Sequence, residues 1–319
     1  MKAQPTRDGA TGSNSRPASD RARLPVAVII IARDEEANLP DCLHSVTGWA
    51  SEVVVILDPR TTDRSREVAT ASGARVVEHP FESYARQKNW ALENAVGACP
   101  WTFILDADER VSPELREELA SVLADERAKD AYAVRFRFIF YGRWMKHCWY
   151  GTWIVRLFRR GKARYEIRGV HEHMIVDGEL GLLQKDLIHD DSSGLDAWIA
   201  KHNTYATLEA EHGDGGGDEL HARPFGTKVE RRRFLKDKIW KRLPLRPLWL
   251  FMYLYVVRLG VLDGRLGLRF CLWHAIFEAF VTGKTWEKRL LAKGPVGNYY
   301  RVAVERYLLE HPEARPLYG

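Results

Sequence analysis

The chain has 319 residues, of which 45% are hydrophobic and 29% charged, with a net charge of only +5. That is enough apolar material for one large domain, or a domain with an appendage, and too little net charge for a chain built as a polyanion binder, so nucleic acid is not an expected partner. Four scattered cysteines, Cys42, Cys99, Cys148 and Cys271, form no C-x-x-C pair, which argues against a disulfide framework or a structural zinc site and reads as small thiols in a reducing compartment.

Residues 1–24 are rich in Ser, Pro, Ala, Arg and Asp, carry no apolar stretch of the signal-peptide kind, and are expected to be a disordered tail. Val26 to Ile31 is a near-continuous β-branched run, as suits a strand buried on both faces. A helix is expected from about Glu35 to Val46, a second strand over Glu52–Leu57, and a helix over Asp63–Ser72 capped by Thr62 or Asp63 and ended by Gly73. A short strand follows at Arg75–Glu78, then a helix over Tyr84–Val96. The strand Trp101–Leu105 runs into Asp106-Ala107-Asp108, and Ser112-Pro113 opens the next helix as cap and first helical residue. Ala131–Phe140 alternates like a half-exposed strand, Tyr150–Phe158 reads as its partner, and Trp198–Ala210 reads as a helix. Residues 25–210 are thus expected to form one α/β domain, doubly wound with a mostly parallel sheet. Residues 211–226 contain Gly213, Gly215, Gly216 and Gly217 and read as a linker, with a basic, amphipathic helical region over 227–319.

In a doubly wound sheet, ligands bind beyond the carboxyl ends of the strands. Those ends carry Arg33-Asp34-Glu35, then Asp58, then Asp106 and Asp108, so three acidic clusters are expected on one rim. Two carboxylates flanking a small residue suit Mg²⁺ or Mn²⁺, which prefer oxygen ligands and leave positions open for phosphate. The competing reading is an Asp that merely caps the next helix. Asp58 is placed to accept from the imide N–H of a uracil ring or from a ribose hydroxyl. Arg86, Lys88 and Asn89 lie on a helix bordering the same crevice. Because Arg86 and Lys88 are two apart, at most one of them is expected to face a ligand.

These residues resemble family 2 inverting glycosyltransferases. The resemblance runs through Ile30 to Leu39, Asp58 to Ser65, Gln87 to Leu92 and Leu105 to Arg110. It continues in Gly169-Val170-His171-Glu172-His173, in Lys201 to Ala206, in Arg258-Leu259-Gly260 and in Leu262-Asp263-Gly264. It is strongest to the branch that includes bacterial lipopolysaccharide core β-1,4-glucosyltransferases, and covers the chain from about residue 25 to 285 in order. It implies a GT-A fold, a nucleotide-sugar donor (most often UDP-linked), a divalent metal, and inversion at the anomeric carbon. Asp34, Glu35, Asp58, Lys88 and Asp106 are then the expected donor-binding residues, with Asp106 and Asp108 the metal ligands. The family pattern has Ser-Gly where this chain has Pro59-Arg60, in the turn that borders the nucleotide.

Inverting transfer needs one general base for the acceptor hydroxyl. Glu172 is the first candidate, with Asp177, Asp190 and Asp191 as the others. His171 and His173 are read as contacts to acceptor or diphosphate, and a zinc site with His189 is the competing reading. A sugar nucleotidyltransferase would need a Gly-rich phosphate loop after the first strand, where this chain reads Ala32-Arg33-Asp34-Glu35-Glu36-Ala37. A non-catalytic membrane-associated protein on the same scaffold is the other alternative, disfavoured by the intact acids.

In the last third, basic residues from Lys228 to Arg246 precede the apolar run Pro247–Val257, and a second apolar segment, Leu266–Val281, is broken by Arg269, His274 and Glu278. Each segment is short of the ~20 residues that span a bilayer. Both are expected to be interfacial helices on an anionic membrane surface, with the alternative that they pack on the catalytic domain. The acceptor is then a lipid-linked or envelope glycan, and the expected location is cytoplasmic, peripheral on the inner face of the cell membrane. The aromatic segment Phe138–Trp153 is expected to govern acceptor choice.

Overall fold

A computed structural model of the chain describes residues 23–149, 151, 153–167, 173–212, 224–225, 230–231, 234–292, 306–307 and 309–310. The first half builds β1 (Leu24–Ala32), α1 (Leu39–His44), β2 (Ala50–Leu57), α2 (Ser65–Ala71), β3 (Arg75–Glu78) and α3 (Tyr84–Asn94). It continues with β4 (Trp101–Asp106), β5 (Glu109–Val111) and α4 (Pro113–Ala124). Then come β6 (Ala131–Phe140), β7 (Arg143–Trp144), β8 (Trp153–Arg159), β9 (Ala163–Tyr165), β10 (Met174–Val176), β11 (Leu180–Asp190) and α5 (Gly194–His212). The last described helices are α6 (Arg246–Met252), continued by a π-helical turn over Tyr253–Val257, and α7 (Gly264–Ala292), preceded by a 3-10 turn over Gly260–Asp263.

Nine strands among the described residues form one sheet in the order β3-β2-β1-β4-β8-β6-β11-β5, with β7 beside β6. β3, β2, β1 and β4 are parallel neighbours, and so are β6 and β11, while β8 runs antiparallel between β4 and β6. The sheet order reverses between β1 and β4, and the acidic residues after β1, β2 and β4 share the rim at that reversal. Ile29, Ile30, Phe103, Ile104 and Leu105 are fully buried, so the central strands carry apolar side chains on both faces, as helix-covered parallel strands must. Each contributes about 1.5–3 kcal/mol of burial.

Local chemistry sets the helix ends. Ser112 Oγ accepts from Leu115 N at 3.1 Å and Pro113 opens α4, as its sequence predicts. Ser83 caps α3 by accepting from Arg86 N. α1 is shorter than its apolar pattern suggests, beginning only at Leu39 with Pro40 in its first turn, the one place where the missing N–H costs nothing. α2 starts at Ser65, with Asp63 Oδ1 accepting from Ser65 N at 2.9 Å from just outside the helix.

The C-terminal helices pack against the catalytic sheet. Phe138 and Phe140 on β6 meet Phe270 on α7 edge to face at 5.2 and 5.3 Å. Trp198 on α5 lies 5.3 Å from Trp273. The buried Asp263 carboxylate accepts from the backbone N–H groups of Lys146, His147 and Cys148 and from His147 Nδ1 at 2.8 Å. The glycines flanking it are there for contact. A Cβ on Gly260 would stand 2.7 Å from the Leu254 carbonyl, and one on Gly267 would stand 2.3 Å from the Gly260 carbonyl. Arg246 Nε pairs with Glu278 at 3.1 Å, tying α6 to α7.

Candidate active site

β4 ends at Asp106, and the next two residues turn the chain so that Asp106 meets Lys88 on α3 and Arg156 on β8, while Asp108 meets His189 on β11 and Lys201 on α5. The turn is braced from within. Glu109, fully buried, accepts from Asp106 N at 3.0 Å through Oε2 and holds the Arg156 guanidinium with Oε1. Asp190 N donates to the Asp108 carbonyl at 2.9 Å, fixing the end of β11 against the same turn.

Each of the four carboxylate oxygens has a basic nitrogen beside it. Asp106 Oδ1 lies 3.1 Å from Lys88 Nζ and Oδ2 lies 2.7 Å from Arg156 Nη2. Asp108 Oδ1 lies 3.4 Å from His189 Nδ1 and Oδ2 lies 3.2 Å from Lys201 Nζ. Burial alone would raise both acids, but Arg156 and Lys88 outweigh it at Asp106, and His189 and Lys201 outweigh it at Asp108, so both stay well below the usual carboxylate range. Reciprocally, burial lowers His189 while Asp108 more than restores it, leaving the imidazole above its ordinary value. Glu109 behaves oppositely, with burial pushing it up to about 7 despite Arg156.

A divalent metal fits this donor set. Two ionised carboxylates supply hard oxygen ligands, and the Asp106 side chain is 37% exposed toward the crevice. Among the described residues no group of three His, Cys, Asp or Glu side chains is arranged to hold a metal ion. One or two carboxylates with the remaining positions left to phosphate and water is the arrangement Mg²⁺ prefers.

The other rim residues stand as follows. Asp34 takes a left-handed conformation (φ 52°) and its Oδ1 accepts from Thr62 N at 2.7 Å, so it ties the loop after β1 to the loop after β2. Glu35 Oε2 accepts from Asn38 Nδ2 at 2.7 Å, and burial, partly countered by that bond, raises its carboxyl to about 7. Buried Asn38 also bonds Asp191 and Ser193, joining the first loop to the start of α5. Asp58 is 2% exposed and gripped by Arg60, whose Nη2 is 2.6 Å and Nε 3.1 Å from Oδ2, with Arg33 at 3.9 Å. Of the two basic residues on α3, Lys88 faces the crevice and Arg86 pairs with Glu82 at 3.5 Å. Asn89 is a brace, exchanging two hydrogen bonds with the Tyr165 backbone.

His173 sits just before β10, its carbonyl accepting from Glu166 N at 2.8 Å. Glu172 and His171 lie outside the described residues. Asp177 is exposed and pairs with Lys162 at 3.3 Å, whereas Asp191 lies 3.6 Å from Lys201 Nζ.

Of the three residues that complete the cluster, His189 enters the sequence reading only as part of the competing zinc site, and Arg156 and Lys201 were not singled out as site residues. Arg156 sits in the middle of β8, where it reads as the polar half of an alternating strand. His189 is the last residue but one of β11, and Lys201 lies two turns into α5. Lys201 does belong to the Lys201–Ala206 stretch that carries the family resemblance, and that was the available signal.

Residues 27–188, half of the chain, match the family described as Glycosyl transferase family 2. The chain is 35% identical over 198 residues to the lipopolysaccharide core biosynthesis glycosyltransferase LpsC of Rhizobium meliloti (strain 1021), covering 59% of this chain and 72% of that protein. It is 29% identical over 227 residues to a glycosyltransferase of Rickettsia prowazekii (strain Madrid E), covering 67% and 74%. Among solved structures, the mannosyltransferase PcManGT from Pyrobaculum calidifontis, in complex with GDP-Man and Mn²⁺, is similar over 85% of this chain and 91% of that chain, at 17% identity and a TM-score of 0.46. The family match spans half of the chain and the relatives are glycosyltransferases, so the chain belongs to glycosyl transferase family 2 and is a glycosyltransferase.

Proposed function

We propose that the enzyme moves a hexose from a nucleotide sugar, UDP-linked in the first instance, to a lipid-linked or envelope glycan such as lipopolysaccharide core, with inversion at the anomeric carbon. The observation that carries this reading is the meeting of Asp106 and Asp108 with Lys88, Arg156, His189 and Lys201 at the strand ends of a family 2 domain. The acids hold Mg²⁺ or Mn²⁺, which when bound offsets the charge on the departing diphosphate. Lys88 is the best-placed donor to that diphosphate, and Asp58 and the loop of Asp34 and Glu35 border the nucleoside. The acceptor oxygen bonds to the anomeric carbon as the bond to the diphosphate breaks, and the hydroxyl proton passes to Glu172. His171 and His173 contact acceptor or diphosphate.

The setting proposed is the inner face of the cell membrane. No single described helix is long and apolar enough to cross a membrane, while Arg246–Val257 and Gly260–Ala292 form a pair bent by 73°. Leu248, Trp249, Met252, Val256 and Val257 on the first arm are exposed, as suits an arm lying in the interface rather than through it.

The test is a donor panel of UDP-, GDP- and dTDP-hexoses with Mn²⁺, read by nucleoside diphosphate release. One donor class is expected to turn over, and Asp108→Ala to lose about 10²-fold or more of that rate. Glu172→Gln is expected to lose turnover at unchanged donor affinity. An Asp108→Ala enzyme fully active in excess EDTA overturns the metal assignment, and donor affinity falling in step with turnover in Glu172→Gln overturns the base.

A further inference from the structure

The four basic nitrogens around Asp106 and Asp108 are not equally free to leave. Arg156 is 3% exposed, is built into β8 and also serves Glu109. His189 lies within β11, one residue before its end, and its ring is packed 4.7 Å from Phe138 and 5.8 Å from Phe136. Lys88 is almost fully buried, with its ammonium 5.8 and 5.2 Å from the Tyr84 and Tyr165 ring centroids. Lys201 differs on each count. Its side chain is 33% exposed, its four-carbon stem is flexible, and a second carboxylate, Asp191, stands 3.6 Å from Nζ as a place to retreat to.

We propose that Lys201 is the resting counter-ion of Asp108, and that a divalent cation binds there only by displacing it toward Asp191, so that metal and donor diphosphate enter the site together. The proposal rests on the assignment of Asp106 and Asp108 as metal ligands. Its physical basis is charge. Lys88, Arg156 and Lys201 already offset most of the charge of Asp106, Asp108, Glu109 and Asp191, and a doubly charged cation a few ångströms from an ammonium is repelled. A nucleoside diphosphate brings the compensating negative charge and gives the displaced ammonium an acceptor. Lys201 is therefore a positioning residue that sets when the metal binds.

The experiment is Mn²⁺ titration of the full chain, followed by calorimetry, with and without UDP. Wild type is expected to bind Mn²⁺ alone weakly and at least tenfold more tightly with UDP. Lys201→Met is expected to bind Mn²⁺ alone at least tenfold more tightly than wild type and to lose most of the UDP effect, while Lys201→Arg keeps the wild-type pattern. Asp191→Asn removes the retreat site, so it is expected to weaken Mn²⁺ binding severalfold, and it serves if Lys201→Met does not fold. Lys201→Met binding Mn²⁺ alone no more tightly than wild type overturns the proposal and leaves the metal assignment standing. An unchanged Mn²⁺ affinity in Asp191→Asn does the same. Absence of Mn²⁺ binding in every protein, with UDP included, overturns both.

Discussion

At Asp58 one carboxylate has two claimants. It is buried, ionised and proposed to border the nucleoside, yet the Arg60 fork already covers it, and this hydrogen bonding is the main reason its carboxyl sits below the usual range. Arg60 stands where the family pattern has glycine, so the departure read in Pro59-Arg60 becomes a physical contact rather than a neutral change. Asp58→Ala is expected to raise the donor KM about tenfold or more, the worth of one hydrogen bond to a charged group, with kcat changed less than about threefold. A reduced kcat at unchanged donor KM contradicts the assignment. Glu35 carries a pH signature. Its folded-state carboxyl is raised to about 7 from the ordinary 4.5, chiefly by burial, so between those values the folded chain keeps a proton that the unfolded chain has released. Stability must therefore fall as pH rises through that window, by at most about 1.4 kcal/mol per pH unit from this group. Glu35→Gln has no such proton to lose. Urea denaturation from pH 5 to 8 is expected to show wild type losing stability relative to Glu35→Gln, and a pH-independent difference contradicts the argument. The acids of this site were legible because they follow buried strands directly in the chain. Arg156 and Lys201 were not, nor was the pairing of His189 with Asp108, because these residues reach Asp106 and Asp108 from 50, 81 and 93 residues away, through a fold that no local pattern encodes.

Legibility among the elements divides along the same line. β3 and β6 fall where their sequence patterns place them, since a strand buried or half-buried along its length advertises its period. β11 has no clean period. Its pairing with β6 shifts register between Leu182 and Asp186, so the alternation breaks at Gln184-Lys185 and an eleven-residue strand at the heart of the site goes unassigned in the sequence reading. α7 is the reverse case. Arg269, His274 and Glu278 interrupt its apolar pattern, but Glu278 pairs with Arg246 on α6 and the helix runs unbroken for 29 residues. The element with most riding on one side chain is the turn before α7. Asp263 satisfies three backbone N–H groups and His147 of the β7–β8 connection, so it anchors the C-terminal helices to the segment expected to govern acceptor choice. Asp263→Ala strands those donors and is expected to cost about 3 kcal/mol, with Asp263→Asn costing less. Hydrogen exchange should show the amides of Lys146, His147 and Cys148 losing protection first, and protection equal to wild type would remove Asp263 from this role.

For the whole molecule, the arrangement of the last third decides how a membrane reading can be tested. Phe270, Cys271 and Leu254 share a buried cluster with Phe140, Met145 and Cys148, so truncation from about Lys228 would strip part of the catalytic domain's own packing along with any membrane face. Loss of pelleting in such a truncation would not separate the two causes. The exposed residues do separate them. Trp249, Val257 and Leu262 are 53%, 69% and 59% exposed on the bent pair, so replacing them removes no core. Lys238, Arg242, Arg265 and Arg269 are exposed on the same stretch of chain, and each is worth about 1 kcal/mol near an anionic bilayer surface, less with added salt. Apolar and basic groups together predict binding that is partly electrostatic and partly insertive. The wild-type chain is expected to pellet with phosphatidylglycerol-containing vesicles at low salt and to be partly released at high salt. The triple variant Trp249→Ser, Val257→Ser, Leu262→Ser should keep the wild-type melting temperature and donor turnover and lose most of the pelleting. A wild-type chain that stays in solution with such vesicles at low salt refutes the interfacial setting. A triple variant that pellets like wild type shows that insertion of Trp249, Val257 and Leu262 does not hold the chain at the bilayer, and removes these three side chains from the membrane face.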